Sequence, residues 1–145
     1  MDERKKKELS KVLVGLEALK EQDRFSERDR LLQKNRHAYR FQELKKDVIL
    51  PVLREFMVDL DAKGHLTRLS EKSPEKIRLD VQIQTKVPKR GTVEFGLDVS
   101  NPGKLKVDYG WVSTGSRFHQ ESFPLDRIES GFIADRVLHL LQGLM

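Results

Sequence analysis

The chain of 145 residues has no cysteine, one tryptophan and only short apolar runs. The absence of cysteine excludes disulfide frameworks and thiolate metal sites. The apolar run 48–50 is interrupted by Pro51 soon after it begins, and no run approaches the roughly 20 residues of a membrane span. The basic residues near Met1 are not followed by the apolar core of a signal peptide. We therefore expect a cytoplasmic protein with no membrane partner.

The sequence also lacks the motifs of well-known enzyme classes. It has no Gly-x-Ser-x-Gly elbow, dinucleotide fingerprint, P-loop or EF-hand loop. His119-x-Glu121 places two potential metal ligands on one strand face, but a polar surface strand is the favoured interpretation. The loop 112–117 resembles an anion cradle, but a plain turn is favoured there too. We predict no enzymatic activity, no metal site and no cofactor.

Charge is plentiful and unevenly distributed. Charged residues make up 35% of the chain, and residues 1–40 hold 12 Lys or Arg against 8 Asp or Glu. Phosphate groups are bound through exposed cations, so two basic clusters are candidate nucleic-acid contacts. These candidates are Lys5, Lys6, Lys7, Lys86, Lys89 and Arg90. The interleaved acidic residues favour a solvated helix, which makes nucleic-acid binding the alternative hypothesis.

The N-terminal residues 1–37 are predicted to form a charged helical extension. Four apolar side chains recur at a 3-4-3 spacing, which is typical of a short coiled coil. This apolar seam consists of Leu9, Val12, Leu16 and Leu19. Asp23 and Ser26 occupy the next two positions of the repeat, so the seam ends there. A helix break or bend near residue 25, with Ser26 as a new N-cap, is also expected.

Residues 38–145 are predicted to form an α+β domain. Residues 41–60 have a broad apolar stripe, with a kink or a helix restart at Pro51 and a left-handed C-terminal cap at Gly64. A closing helix is expected from about Arg127 to Leu144. It packs, in this prediction, on the same sheet face as the 41–60 helix.

Between these helices the apolar residues alternate with a period of two. Three segments, 77–83, 93–99 and 105–111, predict antiparallel strands with one buried face, and 65–71 and 118–123 predict weaker edge strands. The expected register pairs Val99 with Leu105. The exposed face carries four acidic residues that alternate with cations, which indicates charge pairing rather than acid–base catalysis. The four are Asp80, Glu94, Asp98 and Asp108.

The predicted fold is thus an N-terminal helical extension, a helix, an antiparallel meander of three to five strands, and a C-terminal helix on one sheet face. The predicted core comprises Val48, Val52, Leu53, Phe56, Leu60, Leu79, Val81, Ile83, Phe95, Leu97, Val107, Tyr109, Trp111, Val137, Leu138 and Leu141.

Two functional hypotheses follow from these features. The first is a non-enzymatic interaction module, such as an adaptor, a chaperone-like factor or an assembly subunit, that acts through protein–protein contacts. The alternative is a DNA- or RNA-binding protein that tolerates any sequence. The apolar seam must be covered, since each side chain left in water forgoes about 1.5–3 kcal/mol of burial free energy. The favoured arrangement is a homodimer in which the seams of two chains pack together. The other possibility is that the N-terminal helix folds back onto the α+β domain.

Overall fold

The computed structural model describes residues 2–101, 103–112 and 117–145. Residues 113–116 of the loop 112–117, for which the sequence favours a plain turn over an anion cradle, lie outside the described residues. The helices are α1 (Glu3–Leu44), a π-helical segment (Lys45–Ile49), α2 (Leu50–Ala62) and α3 (Ser130–Gly143), with a 3-10 turn at Leu125–Arg127. The strands are β1 (Leu66–Ser73), β2 (Lys76–Ile83), β3 (Lys89–Leu97), β4 (Lys104–Val112) and β5 (Arg117–Pro124). The chain divides into two units, Met1–Arg36 and His37–Met145.

The first unit is helical, and the break that the sequence predicts near residue 25 is wrong. The backbone is α-helical throughout Glu3–Leu44, with Ser26 in the interior of the helix. No proline or glycine occurs between Gly15 and Leu44, so no residue there removes a backbone donor or adds a large conformational penalty. Serine costs well under 1 kcal/mol in a helix interior, and the continuing hydrogen-bond ladder outweighs that preference.

The expected disturbance near Pro51 is present and takes the form of a helix restart. Residues Lys45–Ile49 are π-helical, and Pro51 occupies the first turn of α2. The amide of Leu50 donates to the carbonyl of Lys45, five residues back. Proline has no N–H to donate to the preceding turn, and its ring crowds the carbonyl four residues back in a regular α-helix. The wider π turn therefore accommodates the proline without ending the helical path.

Helix α2 ends at a Schellman motif built on Gly64, which confirms the predicted left-handed cap. Gly64 has φ of 85°. Its amide donates to the Asp61 carbonyl at 3.0 Å, and the His65 amide donates to the Leu60 carbonyl at 3.0 Å. These two bonds satisfy carbonyls that the end of the helix leaves free.

The five strands form one antiparallel sheet in the order β1-β2-β3-β4-β5, which includes both predicted edge strands. The predicted pairing of Val99 with Leu105 is wrong, because Leu105 pairs with Leu97. Asp98 ends the strand instead: its carboxylate accepts from the Ser100 amide at 3.0 Å and from the Ser122 hydroxyl at 2.9 Å. Val99 is consequently 85% exposed in the connecting loop.

The core lies between one face of the sheet and the helical layer, as predicted. Odd-numbered strand residues, including Leu79, Phe95 and Val107, pack with residues from the end of α1, from α2 and from α3. The prediction that Leu138 is in the core is wrong, since its side chain is 44% exposed. Helix α3 is rotated so that Ile133, Val137 and other residues face the sheet. The buried set on α3 and at its C-terminal end is Ile133, Val137, Leu140 and Leu144.

The opposite face of the sheet, which we call the open sheet face, carries the even-numbered strand residues. Its side chains are half-buried or exposed, and its only buried described residues, Gly96 and Gly110, have no side chain. Exposed apolar groups lie there as well: Phe118 is 84% exposed and Val112 is 58% exposed. This face is therefore available to a ligand.

Candidate interaction surfaces

The apolar seam of α1 is exposed along its whole length. Relative exposure is 47% for Leu9, 57% for Val12, 50% for Leu16 and 58% for Leu19. The adjacent Leu13, at 53%, widens the stripe. On a helix these positions share one side, because residues three and four apart are neighbours on its surface. The result is a continuous apolar strip on a helix that is otherwise densely charged.

The predicted phosphate contacts fall into two groups. Lys5, Lys6 and Lys7 are exposed near the N-terminal end of α1, in the first unit. The other three lie on one hairpin of the second unit: Lys86 is in the exposed β2–β3 loop, and Lys89 and Arg90 begin β3. Lys89 pairs with Ile83 and Arg90 with Gln82, so Arg90 belongs to the open sheet face and Lys89 to the helix-covered face.

His119 and Glu121 lie on the helix-covered face of the edge strand β5, where they take part in a polar network. His119 Nε2 and Glu121 Oε1 are 2.9 Å apart. Arg136 of α3 donates from its η1 nitrogen to Glu121 Oε2 at 2.8 Å, and the Tyr109 hydroxyl donates to the same oxygen at 3.5 Å. The guanidinium of Arg136 also lies 5.4 Å from the ring of Phe123 and 5.3 Å from the ring of Phe132. This network fastens the edge strand to α3.

Burial and charge shift the titration of this network. Partial burial raises the pKa of Glu121, but the hydrogen bonds from His119 and Arg136 outweigh burial, so the pKa lies below its usual value. Burial lowers the pKa of Arg136, but the bond to Glu121 outweighs that effect and the pKa is raised. Burial raises the pKa of Tyr109 to about 12. At neutral pH the carboxylate and the guanidinium are both charged, and the phenol stays protonated.

A shallow groove of about 540 Å³ opens beside this network. Its lining includes the rings of Trp111, Phe118, His119 and His139. Behind the lining, Tyr109 stacks on Trp111 with centroids 5.6 Å apart, and His139 meets both rings edge-on. The rings of His119 and His139 are 6.3 Å apart. In the part of the chain that the structure describes, no group of three or more His, Asp and Glu side chains is placed to hold a metal ion. The sequence did not reveal this groove, because three elements build it.

Each of the four acidic residues of the open sheet face forms an ion pair or a hydrogen bond with another residue of that face. Asp80 pairs with Arg78 at 2.8 Å and Glu94 with Lys76 at 3.6 Å. Asp108 accepts from the Gln120 side chain at 2.8 Å, and Asp98 accepts from the Ser122 hydroxyl. Glu94 and Asp108 are partners across β3 and β4, but both are only half-buried. The buried pair of carboxyl groups that separates an acid from a base is therefore not formed by these four residues.

Replacing Glu121 with glutamine is expected to lower the free energy of unfolding by about 1–3 kcal/mol at neutral pH, since it removes the charge that Arg136 pairs with. A carboxyl group whose pKa is lowered by folding stabilises the fold above its unfolded value, 4.5, and this contribution is lost as the pH falls through the folded value. In urea unfolding, the free energy of unfolding of the variant should therefore differ from that of the parent by a constant amount down to about pH 5, and by a decreasing amount below that pH.

The matched control is Glu94→Gln, because Glu94 forms a longer, more exposed pair with Lys76. It should change stability by less than about 0.5 kcal/mol. A difference between parent and Glu121→Gln that stays constant down to about pH 3 would contradict the assignment of the pH dependence to Glu121.

The geometry defines the class of fold: an α+β protein whose five-stranded antiparallel meander is covered by helices on one face. No family model, curated protein or solved structure matches the chain. Among the described residues, no helix combines the length and the apolar character that crossing a bilayer requires.

Proposed function

We propose that the protein is a non-enzymatic interaction module that self-associates through the apolar seam of α1 and acts as an assembly subunit or adaptor. The observation that carries this proposal is the exposure of Leu9, Val12, Leu16 and Leu19, each about half exposed on one side of a charged helix. We also propose a cytoplasmic location, where a chain that lacks cysteine needs no oxidising compartment for its stability.

A second copy of the chain is the occupant that best suits the seam. Two identical strips meet naturally across a two-fold axis, since each residue then faces its own counterpart or a neighbour of it. The 3-4-3 spacing is the one that inserts side chains between those of a parallel or antiparallel partner helix. Glu8, Lys11, Glu17 and Lys20 border the strip and keep the rest of this segment hydrated.

The size of the seam suits a weak, reversible dimer with a dissociation constant near the millimolar range. A side chain of this type contributes about 1.5–3 kcal/mol when it passes from full exposure to full burial. The helix already covers about half of each side chain, so about 1 kcal/mol remains for each of the eight seam residues in a dimer. Part of this gain offsets the lost freedom of two separate chains, which costs at least about 4 kcal/mol.

The test is the pair of substitutions Leu9→Glu and Leu16→Glu in the full chain, followed by light scattering over a concentration series. Four glutamates would then face one another across the two-fold axis. We expect the mass of the parent to rise towards that of a dimer as its concentration approaches the millimolar range, and the variant to stay monomeric over the same series, with the circular dichroism of the sheet unchanged.

Leu31→Glu with Leu32→Glu is the matched control. These two leucines are also exposed on α1, at 59% and 66%, but they lie outside the seam. The control should dimerise as the parent does. A parent that is monomeric at every concentration, or a Leu9/Leu16 variant that dimerises as strongly as the parent, would contradict the proposal.

A further inference from the structure

One row of paired residues crosses the open sheet face, and we call the strip of surface above this row the trough. Arg68 pairs with Asp80, Asp80 with Thr92, Thr92 with Gly110 and Gly110 with Phe118, so the row runs from edge strand β1 to edge strand β5. Four strand spacings of about 4.8 Å make it about 19 Å long. The middle of the row is low because threonine and glycine stand between the longer side chains at its ends.

The glycine in this row is needed for the shape of the trough. A Cβ atom at Gly110 would lie 3.0 Å from Thr92 Oγ1 and 3.6 Å from the ring of Phe118. Phe118 thus lies beside the backbone of β4, and its ring stays 84% exposed to solvent. An exposed aromatic ring held against a sheet is a surface on which a nucleobase can stack.

Three arginines line a cavity of about 470 Å³ at the other end of the trough, and this cavity extends along the row as far as Thr92. Arg68 and Arg90 are exposed, and no ion pair or hydrogen bond of either side chain occurs within the described residues. Arg78 donates a hydrogen bond from Nε to Asp80 Oδ1 at 2.8 Å. The two terminal nitrogens of its guanidinium group can therefore donate to another acceptor. With Asp80 as the only acid among the cavity-lining residues, the net charge there is +2.

We infer that this trough binds single-stranded nucleic acid without sequence preference. Guanidinium groups pair with phosphate oxygens through parallel hydrogen bonds, which suits Arg68, Arg78 and Arg90 to the backbone of the strand. An unpaired base stacks on Phe118 at the far end of the row, where a duplex could offer no free base face. Lys86, in the loop beside Arg90, extends the positive field beyond the cavity. The inference is independent of the proposed self-association through α1.

The residues proposed here to contact nucleic acid differ from those that the sequence alone suggested. Lys89 faces the helices, and the lysines of α1 are in the other unit, whereas Arg68 and Arg78 join Arg90 on the open sheet face. The three arginines come together because antiparallel pairing aligns even-numbered residues of β1, β2 and β3. An acidic protein segment would find the same cations, but it would gain nothing from a stacking surface at Phe118.

The experiment measures fluorescence anisotropy of a labelled deoxythymidine dodecamer with the full-length protein at about 50 mM salt and at rising salt. The parent should bind the dodecamer with micromolar or tighter affinity, and more tightly than a duplex of the same length. Arg68→Ala with Arg90→Ala should reduce the slope of log affinity against log salt by about 1.4, since each phosphate contact on a single strand contributes about 0.7. Phe118→Ala should weaken binding about 5- to 150-fold and leave that slope unchanged.

The matched control is Arg54→Ala with Lys63→Ala, which removes the same charge from exposed positions of α2 and its C-terminal cap. This control should change affinity less than threefold, or about 0.7 kcal/mol. Three results would overturn the inference: no binding of the dodecamer at low salt, equal or tighter binding of the duplex, or a loss in the control as large as in the Arg68/Arg90 variant. Circular dichroism of each variant verifies that the sheet is intact.

Discussion

Replacing Phe41 with alanine is expected to lower the free energy of unfolding by about 3–5 kcal/mol. Phe41 is 0% exposed and lies in the core with residues of the sheet and of α3. Removing its ring leaves a cavity that rigid strand backbones cannot close, so the loss includes contacts as well as transfer free energy. Denaturant unfolding followed by tryptophan fluorescence measures the effect, because Trp111 is the one tryptophan of the chain and lies in the same core.

Tyr39→Ala is the control for this substitution. Tyr39 is two residues away on the same helix, but 69% of its side chain is exposed. Its replacement should change stability by less than about 0.5 kcal/mol. Equal effects at positions 39 and 41 would show that the end of α1 does not contribute to the core of the second unit.

Gly143→Ala is expected to destabilise the protein by about 3 kcal/mol, although alanine is the better helix former by about 1 kcal/mol. A Cβ atom at this position would clash with Trp111 Nε1 and would lie 2.7 Å from its Cε2. The indole would have to move, and its Nε1 would lose the 2.9 Å hydrogen bond to the Leu140 carbonyl. A buried donor left without a partner costs about 1–3 kcal/mol, and overpacking adds about as much.

Gly131→Ala provides the control, because Gly131 lies at the other end of α3 and a Cβ there would meet nothing within 4 Å. This variant should be as stable as the parent or more stable by up to about 1 kcal/mol. The two glycines should therefore have opposite effects in one helix. A Gly143→Ala variant with parental stability and an unshifted tryptophan emission maximum would contradict the predicted clash with the indole.

Local sequence patterns predicted the elements well where one physical cause dominated. The alternation from Ile77 to Val81 required a strand with one buried face, since any helical arrangement would have exposed part of that set. Gly64 predicted the cap of α2 because a left-handed residue is most easily supplied by glycine. The break predicted at Ser26 was wrong, because the capping preference of serine is weak and the segments on both sides of it form one uninterrupted helix.

The register of β3 against β4 and the rotation of α3 about its axis depended on information that local sequence patterns do not contain. Shifting β3 against β4 by two residues keeps every apolar side chain on the same face, so alternation alone could not separate Leu97 from Val99 as the partner of Leu105. Leu138 lies two residues, or about 200°, from Leu140 on α3, so the two side chains cannot both face the sheet. The packing of Leu140 at Gly91 and the bond from Trp111 Nε1 to the Leu140 carbonyl show which of them faces it.

The candidate interaction surfaces also differ in whether the sequence alone determined them. The sequence by itself determined the apolar seam of α1, because a seam on a helix is defined by spacing within one segment. It also determined that even-numbered strand residues share a face. Only the tertiary structure decided that Arg136 meets Glu121, and that Arg68 and Phe118 end one trough across the sheet. Those contacts join residues far apart in the chain, and strand pairing and helix packing, rather than local preference, bring such residues together.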